Sequence, residues 1–333
     1  MRILSGIQSS GKLHLGNYLG AMKQHIELQH GHECFFFIAN YHSLTTIQDA
    51  KLVREYTLDV ALDYLALGLD PAKANLFRQS DVPEVTELAW ILSTVTGKGL
   101  LDRAHSYKDK VAKGITPTMG LFSYPVLMAA DILIYRSDLV PVGKDQVQHI
   151  EMTQDMATHF NQTYGREVLK RPEPKVNEAL VVPGIDGQKM AKSYGNAINL
   201  FDPPKEIRKR IMSIKTDSTP LEAPKNPDAC NVFALYRLIA APDEVEALRE
   251  RYVKGGMGYG EAKTLLADAV ERLLGPARER RVKLAADRDC VEDILAAGGK
   301  RARAVAREVM EDVRDACGIV VAANTHERIR AAD

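Results

Sequence analysis

The chain has 333 residues, of which 45% are hydrophobic and 26% are charged, and its formal net charge is zero. These proportions are typical of a globular protein, and the length allows one large domain with a smaller one. Zero net charge excludes recruitment of nucleic acid by an overall field, so any such contact must come from local basic patches. Four scattered cysteines exclude a disulfide framework or a CxxC metal site, and no apolar run is long enough to span a bilayer. We therefore expect a cytoplasmic protein with reduced thiols and no membrane contact.

Strands and helices alternate in the first part of the chain. Strands are predicted over 2–7, 34–39, 74–79 and 139–143. Helices are predicted over 17–29, 49–67, 83–95, 119–135 and 146–163. The run CFFFIA at 34–39 is apolar throughout, which is typical of a strand buried on both faces of a sheet. The alternation predicts an α/β fold with a doubly wound, Rossmann-like parallel sheet. Because the first strand begins almost at Met1, no secretory segment is expected before it.

The pattern changes beyond about residue 200, where no convincing strand remains. Helices are predicted over 204–213, 228–240, 242–253, 260–285 and 300–316. The proline-rich stretch 217–228 is predicted to be a linker. Two domains are therefore expected, an α/β nucleotide-binding domain over 1–200 and an all-helical domain over 201–333.

The stretch SGIQSSGKLHLGN, residues 5–17, joins the first predicted strand to a helix through a glycine-containing turn. Backbone N–H groups in such a turn and the helix N-terminus favour an anion. His14 and Asn17 are placed where both could hydrogen-bond phosphate oxygens. An ordinary strand–helix turn with His14 as a local cap is the alternative.

The stretch YPVLMAADILIY, residues 124–135, predicts a helix with Pro125 in its first turn. Tyr124, Met128, Asp131 and Tyr135 then share one face, most of which is apolar. A carboxylate in such surroundings is unfavourable unless it is paired. Asp131 could pair with a basic residue of the fold, or accept a hydrogen bond from a ligand.

Two further stretches carry candidate ligand contacts. VPVGKDQVQH, residues 140–149, ends a strand at the edge where ligands bind doubly wound sheets, so Asp145 could bind ribose hydroxyls or cap the following helix. GIDGQKMAKSYGN, residues 184–196, carries Lys189 and Lys192 between glycines. These lysines could neutralise a polyphosphate whose charge rises in a transition state, or lie in a solvated turn.

Together these stretches resemble class I aminoacyl-tRNA synthetases, and most closely the bacterial-type tryptophanyl-tRNA synthetases. HLGN at 14–17 resembles the HIGH motif, and KMAKS at 189–193 resembles the KMSKS loop. GNYLGA, YPVLMAADIL and VPVGKDQVQHIE resemble stretches of the tryptophan branch, and the resemblance covers essentially the whole chain. It implies ATP-dependent activation of L-tryptophan as an adenylate, then transfer to tRNA(Trp), with Mg²⁺ accompanying ATP and a homodimer as the assembly.

The resemblance also implies roles for individual residues. It implies catalytic roles for His14, Asn17, Lys110, Lys189 and Lys192. It implies ATP binding by Gln8, Ser10, Gly16, Asn17, Gly143, Asp145, Lys189, Met190, Lys192 and Ser193. It implies tryptophan binding by Leu4, Gln8, His42, Tyr124, Met128, Asp131, Val140, Val142 and Gln146. Asp131 would accept the indole N–H.

The chain departs from the family pattern at several positions. Ala191 replaces the usual serine of the loop, Ser9 replaces a common proline, and Lys144 stands where many relatives carry glutamate. Some members of a related sub-branch hold an iron–sulfur cluster on four cysteines of the helical part. Cys230 matches the first of these, but the other three positions hold Val253, Gly260 and Lys263. We therefore expect neither an iron–sulfur cluster nor zinc.

Two other functions stay open. The tyrosyl-tRNA synthetases share the sheet, the loop and the helical aspartate, although Met128 and the sequence GNY favour tryptophan. A paralogue that binds tryptophan or tRNA without charging it is favoured only by Ala191. For tRNA, the helical region is expected to carry the anticodon contacts, with two basic clusters as candidates: Arg278, Arg280, Arg281 and Lys283, and Lys300, Arg301, Arg303 and Arg307.

Overall fold

The computed structural model describes residues 1–112, 114–176 and 181–320, without the side chains of His105, Ser106, Asp109, Lys110 and Asp145. In these ranges five parallel strands form a sheet in the order β3-β2-β1-β4-β5. They are β1 Arg2–Ile7, β2 Glu33–Ile38, β3 Ala74–Arg78, β4 Leu139–Val142 and β5 Glu173–Val176. The order reverses between β1 and β4, and at such a point the carboxyl ends of strands open a ligand crevice. Within the described ranges, no helix is both long and apolar enough to cross a membrane.

The sheet confirms the predicted α/β fold and adds one strand that the sequence did not indicate. β5 has the sequence EPKV, and none of its residues is buried. It lies at the edge of the sheet beside β4. A proline is tolerated there because an edge strand needs only one row of hydrogen bonds. No apolar run marks such a strand, so periodicity could not reveal it.

Fourteen α-helices are present in the described part of the chain. In the first part they are α1 Leu15–Asn17, α2 Lys23–Leu28, α3 Asn40–Ser43, α4 Ala50–Leu67, α5 Glu84–Val95, α6 Lys98–Asp102, α7 His105–Ala112, α8 Met119–Leu133 and α9 Val147–Tyr164. In the last part they are α10 Pro204–Met212, α11 Asn231–Ile239, α12 Pro242–Lys254, α13 Tyr259–Ala286 and α14 Arg288–Cys317. A π-helical turn, Tyr18–Met22, joins α1 to α2.

The bounds of α4 follow from its end residues, as the sequence predicted. The Asp49 side chain accepts hydrogen bonds from the backbone N–H groups of Lys51 at 2.8 Å and Leu52 at 3.0 Å. Gly68 ends the helix with a φ of 111°, in the left-handed region that favours glycine. An N-cap aspartate and a left-handed glycine therefore determine where this helix begins and ends.

Pro125 does not lie in the first turn of its helix, and that prediction was wrong. α8 begins at Met119, where the Thr118 hydroxyl accepts a hydrogen bond from Leu121 N at 3.2 Å. The proline is therefore inside the helix and leaves the Leu121 carbonyl without its helical donor. Packing of α8 between α5 and α9 compensates for that loss, because most of the side chains of α8 are buried.

α14 is longer than the predicted segment 300–316 because its two glycines are contact positions rather than a helix boundary. A Cβ on Gly298 would lie 2.0 Å from the carbonyl oxygen of Leu76 in β3. A Cβ on Gly299 would lie 2.7 Å from Cβ of Asp81. Only glycine lets the helix approach β3 this closely, and Asp287 caps the helix start through Cys290 N at 3.2 Å.

The stretch 217–228 is not a linker, although its prolines predicted one. The side chain of Lys225 is buried, and its ammonium donates to the carbonyl oxygens of Pro220 at 2.9 Å and of Leu221 and Ala223 at 3.2 Å. The ammonium also lies 5.3 Å from the ring centroid of Tyr259. The buried ammonium of Lys225 therefore binds three carbonyl groups of this stretch and holds the stretch against α13.

The helices after residue 200 share hydrophobic cores with the sheet. One core joins the α4 side of the sheet to α10, α11, α12 and α13. The other joins the opposite side, with α5, α8 and α9, to the apolar face of α14. The helices after residue 200 are thus packed against both sides of the sheet. The domain boundary at residue 200 stays a prediction.

Candidate active site

A cavity of about 450 Å³ opens at the carboxyl ends of β1 and β4. It is lined by all nine residues predicted to bind tryptophan: Leu4, Gln8, His42, Tyr124, Met128, Asp131, Val140, Val142 and Gln146. Gly143, predicted to bind ATP, also lines it. The wall is mainly apolar and aromatic, with polar groups at a few points, which is typical of a small-molecule site.

Asp131 is the buried charge of this cavity, with 2% of its surface exposed. Its Oδ1 and Oδ2 each accept a hydrogen bond from Nε2 of Gln79 at 2.9 Å, and Oδ2 lies 2.9 Å from Nε2 of His42. Burial raises the pKa of Asp131, and the hydrogen bonds from His42 and Gln79 oppose that rise. The sequence left open whether Asp131 pairs within the fold or faces a ligand; the structure shows that it does the first and is also placed for the second.

A second cavity, of about 470 Å³, lies beside the first along the turn after β1. Gln8 lines the first cavity and Ser10 the second. The second also contains most of the predicted phosphate-binding residues: His14, Gly16, Asn17, Lys189, Met190, Lys192 and Ser193. Its described lining holds two lysines and no carboxylate. Such a cavity favours a polyanion.

His14 is buried in the second cavity, with 6% of its surface exposed. Burial and the nearby charge of Lys192 lower the pKa of His14 to about 4, so the imidazole is neutral at pH 7. A Cβ on Gly16 would lie 2.9 Å from Nδ1 of His14, so a larger residue at position 16 would displace this ring. The His14 backbone N–H donates to Oδ1 of Asn17 at 3.0 Å.

The loop that carries the two lysines is docked on this turn by backbone hydrogen bonds. Leu15 N donates to Ile198 O at 2.9 Å, and Leu200 N donates to Leu13 O at 3.0 Å. Met190 is only 4% exposed, and its N–H donates to Val182 O at 2.8 Å. Lys189 and Lys192 on either side of it are exposed. Met190 therefore anchors the loop in the core while the two ammonium groups stay available to a ligand.

Asn196 organises the loop from inside. Its side chain is 2% exposed and makes three hydrogen bonds. Oδ1 accepts from Ala191 N at 2.9 Å, and Nδ2 donates to Lys189 O at 3.1 Å and to Oδ1 of Asp186 at 2.8 Å. The backbone on both sides of Met190 is thus held by one side chain.

α13 reaches the back of the site through Arg281. Its Nε lies 2.6 Å from Oδ1 of Asp63, and its Nη2 lies 2.6 Å from Oδ1 of Asp59. Both aspartates are on α4. Burial raises the pKa of Asp63 to about 6, against the effect of Arg281. Desolvation lowers the pKa of Lys192, and the carboxylate of Asp63 opposes this. The helical part therefore contributes to the electrostatics of the lysine loop.

Comparison with known proteins identifies the family. The family model described as class I tRNA synthetases (W and Y) matches residues 1–275. The chain belongs to this family. A tryptophan–tRNA ligase of Fusobacterium nucleatum is 53% identical over 320 residues, covering 96% of this chain and 98% of the relative.

Solved structures of the family superimpose on nearly the whole chain. A tryptophanyl-tRNA synthetase from Campylobacter jejuni, complexed with ADP and tryptophan, matches with a TM-score of 0.90 and 48% identity, covering 96% of this chain and 100% of that one. A tryptophanyl-tRNA synthetase from Mycoplasma pneumoniae matches with a TM-score of 0.82 and 32% identity, covering 97% and 99%. The Rossmann-like class I fold with a helical C-terminal part is therefore that of the family.

Some residues predicted to bind ATP do not line the second cavity, and some predicted side chains lie outside the described residues. Gly143, predicted to bind ATP, lines the first cavity instead, beside Gln146, which was predicted to bind tryptophan. The side chains of Lys110 and Asp145 lie outside the described residues, and their roles stay predictions. Ser9, where relatives often have proline, is buried with its hydroxyl 2.9 Å from that of Ser43.

Two residues of the site were missed by sequence reasoning. Gln79 binds Asp131, and Nε2 of His149 lies 3.1 Å from the hydroxyl of Tyr124. Gln79 directly follows β3. The rule that ligands bind at the carboxyl ends of parallel strands could have singled it out.

Most of the arginines predicted to contact tRNA have partners inside the protein. Arg303 and Arg307 bind the buried carboxylate of Glu84 at 2.8 and 3.2 Å. The other arginines of the two clusters bind α13, α4, or β3 and the segment before it: Arg278, Arg280, Arg281 and Arg301. Lys283 and Lys300 are exposed. Five of these arginines thus connect α13 or α14 to the α/β part, whereas Arg278 pairs with Glu271 of its own helix, and contact with tRNA stays a prediction.

Proposed function

We propose that this protein is a tryptophan–tRNA ligase, which joins L-tryptophan to ATP as tryptophanyl-adenylate and then transfers tryptophan to tRNA(Trp). The observation that carries the proposal is the adjacency of two unlike cavities on one turn. One is aromatic and holds a buried carboxylate, Asp131; the other holds two lysines and a neutral histidine. An amino acid bound in the first would present its carboxylate to a nucleotide bound in the second.

The first step needs positioning and charge stabilisation rather than a protein nucleophile. The tryptophan carboxylate attacks the α-phosphorus of ATP, the bond to the bridging oxygen breaks, and pyrophosphate leaves. Lys189 and Lys192 would stabilise the negative charge that develops on the leaving pyrophosphate. His14, neutral at pH 7, would donate a hydrogen bond to phosphate oxygen without adding charge.

The second step uses the same two cavities. A terminal hydroxyl of the tRNA adenosine attacks the activated carbonyl, and AMP leaves.

Mg²⁺ would enter with ATP, held by phosphate oxygens and water, because the described lining of the second cavity has no carboxylate. In the described residues, no group of three or more histidines, cysteines or carboxylates is arranged to hold a metal. These substrates also favour a cytoplasmic location.

For tRNA, we propose that the exposed face of α10 contacts the phosphate backbone. Ile207 and Ile211 are buried on one face of this helix, whereas Lys205 and Lys209 are exposed on the other. In the described part of the chain these two lysines form no ion pair, unlike Arg278 of α13 and Arg303 of α14. α10 also touches the lysine loop, because Nη2 of Arg210 donates to the Gly195 carbonyl at 2.9 Å.

The double variant Lys205→Glu, Lys209→Glu tests this surface. It should raise the KM for tRNA by about tenfold or more and reduce the salt dependence of binding, since each phosphate contact contributes roughly 0.9 to that slope in a duplex. Tryptophan-dependent ATP–pyrophosphate exchange, which needs no tRNA, should not change. Lys254→Glu, an exposed lysine of α12, is the matched control; equal effects of the two variants on tRNA would refute the assignment.

We propose a homodimer that covers an apolar face on α5 and α8. Trp90, the single tryptophan of the chain, is 72% exposed, and Met119 at the start of the neighbouring α8 is 76% exposed. Exposed aromatic and methionine side chains are typical of protein interfaces. Trp90→Glu should convert a dimer to a monomer in sedimentation experiments; a wild-type monomer would contradict the proposal.

The function is tested by ATP–pyrophosphate exchange with each amino acid. Exchange that depends on tryptophan supports the proposal, exchange that depends on tyrosine supports the tyrosyl branch, and tryptophan binding without exchange supports a non-charging paralogue. Asp131→Ala should lower kcat/KM for tryptophan strongly and leave the KM for ATP nearly unchanged. A site that hydrogen-bonds its substrate can discriminate by about 10⁴–10⁵. Equal losses for tryptophan and ATP would make Asp131 a structural residue.

A further inference from the structure

Asp131 belongs to a hydrogen-bond network that includes one residue behind the cavity wall. Gln79 is 1% exposed and does not line the cavity, yet its Nε2 lies 2.9 Å from both carboxylate oxygens of Asp131. His42 reaches Oδ2 from the other side at 2.9 Å. In the described part of the chain no lysine or arginine pairs with Asp131. The charge of this carboxylate is therefore met by a neutral amide and a histidine.

The orientation of the Gln79 amide is determined by the backbone. Its Oε1 accepts hydrogen bonds from Tyr41 N at 3.0 Å and from His42 N at 3.4 Å, at the start of α3. Two N–H donors can only face the amide oxygen, so the NH₂ group must face Asp131. A flipped amide would place donors against donors and oxygen against carboxylate. The Gln79 side chain can therefore act toward Asp131 only as a hydrogen-bond donor.

The other member of the network is held in a similar way. The His42 carbonyl oxygen accepts from Nε2 of Gln8 at 3.2 Å and from the hydroxyl of Thr45 at 2.8 Å. The short turn that carries Gln79, α3 that carries His42, and α8 that carries Asp131 are joined at one point. The carboxylate has no freedom to rotate away from the cavity without breaking several of these bonds.

We propose that Gln79 is the positioning residue that makes the cavity specific for an aromatic amino acid with an N–H donor, because it keeps Asp131 ionised and turned into the cavity as a pure acceptor. A hydrogen bond to the ionised form of a carboxyl favours that form. An ionised carboxylate accepts from an indole N–H, and it rejects a ring that presents no donor, because the buried charge then loses a partner. This inference rests on the proposed function and concerns its specificity.

Gln79→Met is the direct test, since it keeps the length of the side chain and removes the donor. We expect the KM for tryptophan to rise roughly 10- to 100-fold, as for the loss of one hydrogen bond to a charged group, with kcat and the KM for ATP little changed. The preference for tryptophan over benzothienylalanine, in which sulfur replaces the indole N–H, should fall by a similar factor. Gln79→Asn, which retains an amide on a shorter side chain, should lie between Met and wild type.

Gln29→Met is the matched control for loss of a buried glutamine. Gln29 is 5% exposed, its Nε2 donates to Gly68 O at 3.2 Å and its Oε1 accepts from Asp70 N at 2.7 Å, away from the cavity. It shares with Gln79 a buried amide tied to the backbone. The control variant should be destabilised to heat but should keep the wild-type KM for tryptophan and the wild-type preference.

The pH profile gives a readout that loss of packing alone does not move. Without the Gln79 donor the pKa of Asp131 should rise, so the acid limb of kcat/KM for tryptophan should move to higher pH in Gln79→Met. The titratable groups that face Asp131 or line the same cavity are unchanged in the variant: His25, His42, Tyr124, Tyr135 and His149.

The outcomes separate this inference from the proposed function. If wild type shows no tryptophan-dependent exchange, the proposed function fails. If wild type is active and Asp131→Asn loses the preference over benzothienylalanine while Gln79→Met keeps both preference and acid limb, only the role of Gln79 is wrong. Equal loss for tryptophan and ATP in Gln79→Met would also overturn it.

Discussion

Asn196→Ala should slow adenylate formation without unfolding the protein. The side chain of Asn196 holds the backbone on both sides of Met190 through Ala191 N and Lys189 O. Each neutral hydrogen bond contributes about 0.5–1.5 kcal/mol, so the two together contribute about 1–3 kcal/mol to the docked loop. The third bond, to Asp186, contributes little because that carboxylate is partly exposed and water competes for it.

If the docked loop is the form that places the lysines on pyrophosphate, the rate of exchange should fall by roughly 5- to 150-fold. The measurement is ATP–pyrophosphate exchange at saturating tryptophan, together with tryptophan binding, which should not change because the first cavity is untouched. Asn199→Ala is the matched control, since Asn199 makes a single side-chain bond, to Asp202 at 2.8 Å, outside the lysine segment. Full exchange activity in Asn196→Ala would refute the view that docking of this loop limits the rate.

The remaining predictions concern the lysine loop, a buried histidine and the cysteines. Lys192→Ala should lower the exchange rate by about 10²–10³ with tryptophan still bound, whereas Ala191→Ser should change it by no more than about tenfold, as one neutral hydrogen bond does; no effect of Lys192→Ala would make the loop a surface turn. His25 is fully buried with its pKa lowered to about 4 from 6.5, so the unfolded state binds more protons in that window and the free energy of unfolding should fall by about 3 kcal/mol as pH drops through it. Urea titrations of His25→Phe should show a smaller fall, and an unchanged fall would contradict the assignment. Purified protein should contain no stoichiometric iron, since Cys230 stands alone among the four cluster positions of the related sub-branch; stoichiometric iron after anaerobic purification would refute this.

The candidate site residues were predicted from patterns among neighbouring residues, which a sequence shows directly. A strand followed by a glycine turn and a helix places His14 and Asn17 at a helix start whatever the rest of the chain does. A carboxylate at position 131 of an apolar helix face demands a special environment. Lys189 and Lys192 between glycines predicted a loop that could bind a polyphosphate, and both lysines line the second cavity.

Other features depended on contacts between distant segments. The basic residues near 280 and 303 were candidates for tRNA contact because a sequence shows positive charges. It does not show the carboxylates that pair with them. Arg281 and Arg303 find their carboxylates on α4 and α5, more than 200 residues earlier. In the same way, the predicted helix 300–316 did not include Gly298, whose close contact with β3 only the structure shows.

The sequence by itself determined the alternating sheet, the glycine turn after β1, the lysine loop and the unusual carboxylate, because each depends on neighbouring residues through backbone conformation and hydrophobic pattern. Only the tertiary structure decided which side chains meet. Gln79 and Asp131 lie 52 positions apart, on a turn after a strand and on a helix, and nothing in either segment names the other. The hydrogen bond between them exists because the parallel sheet brings the carboxyl end of β3 to the face of α8, and that juxtaposition gives Asp131 its donors.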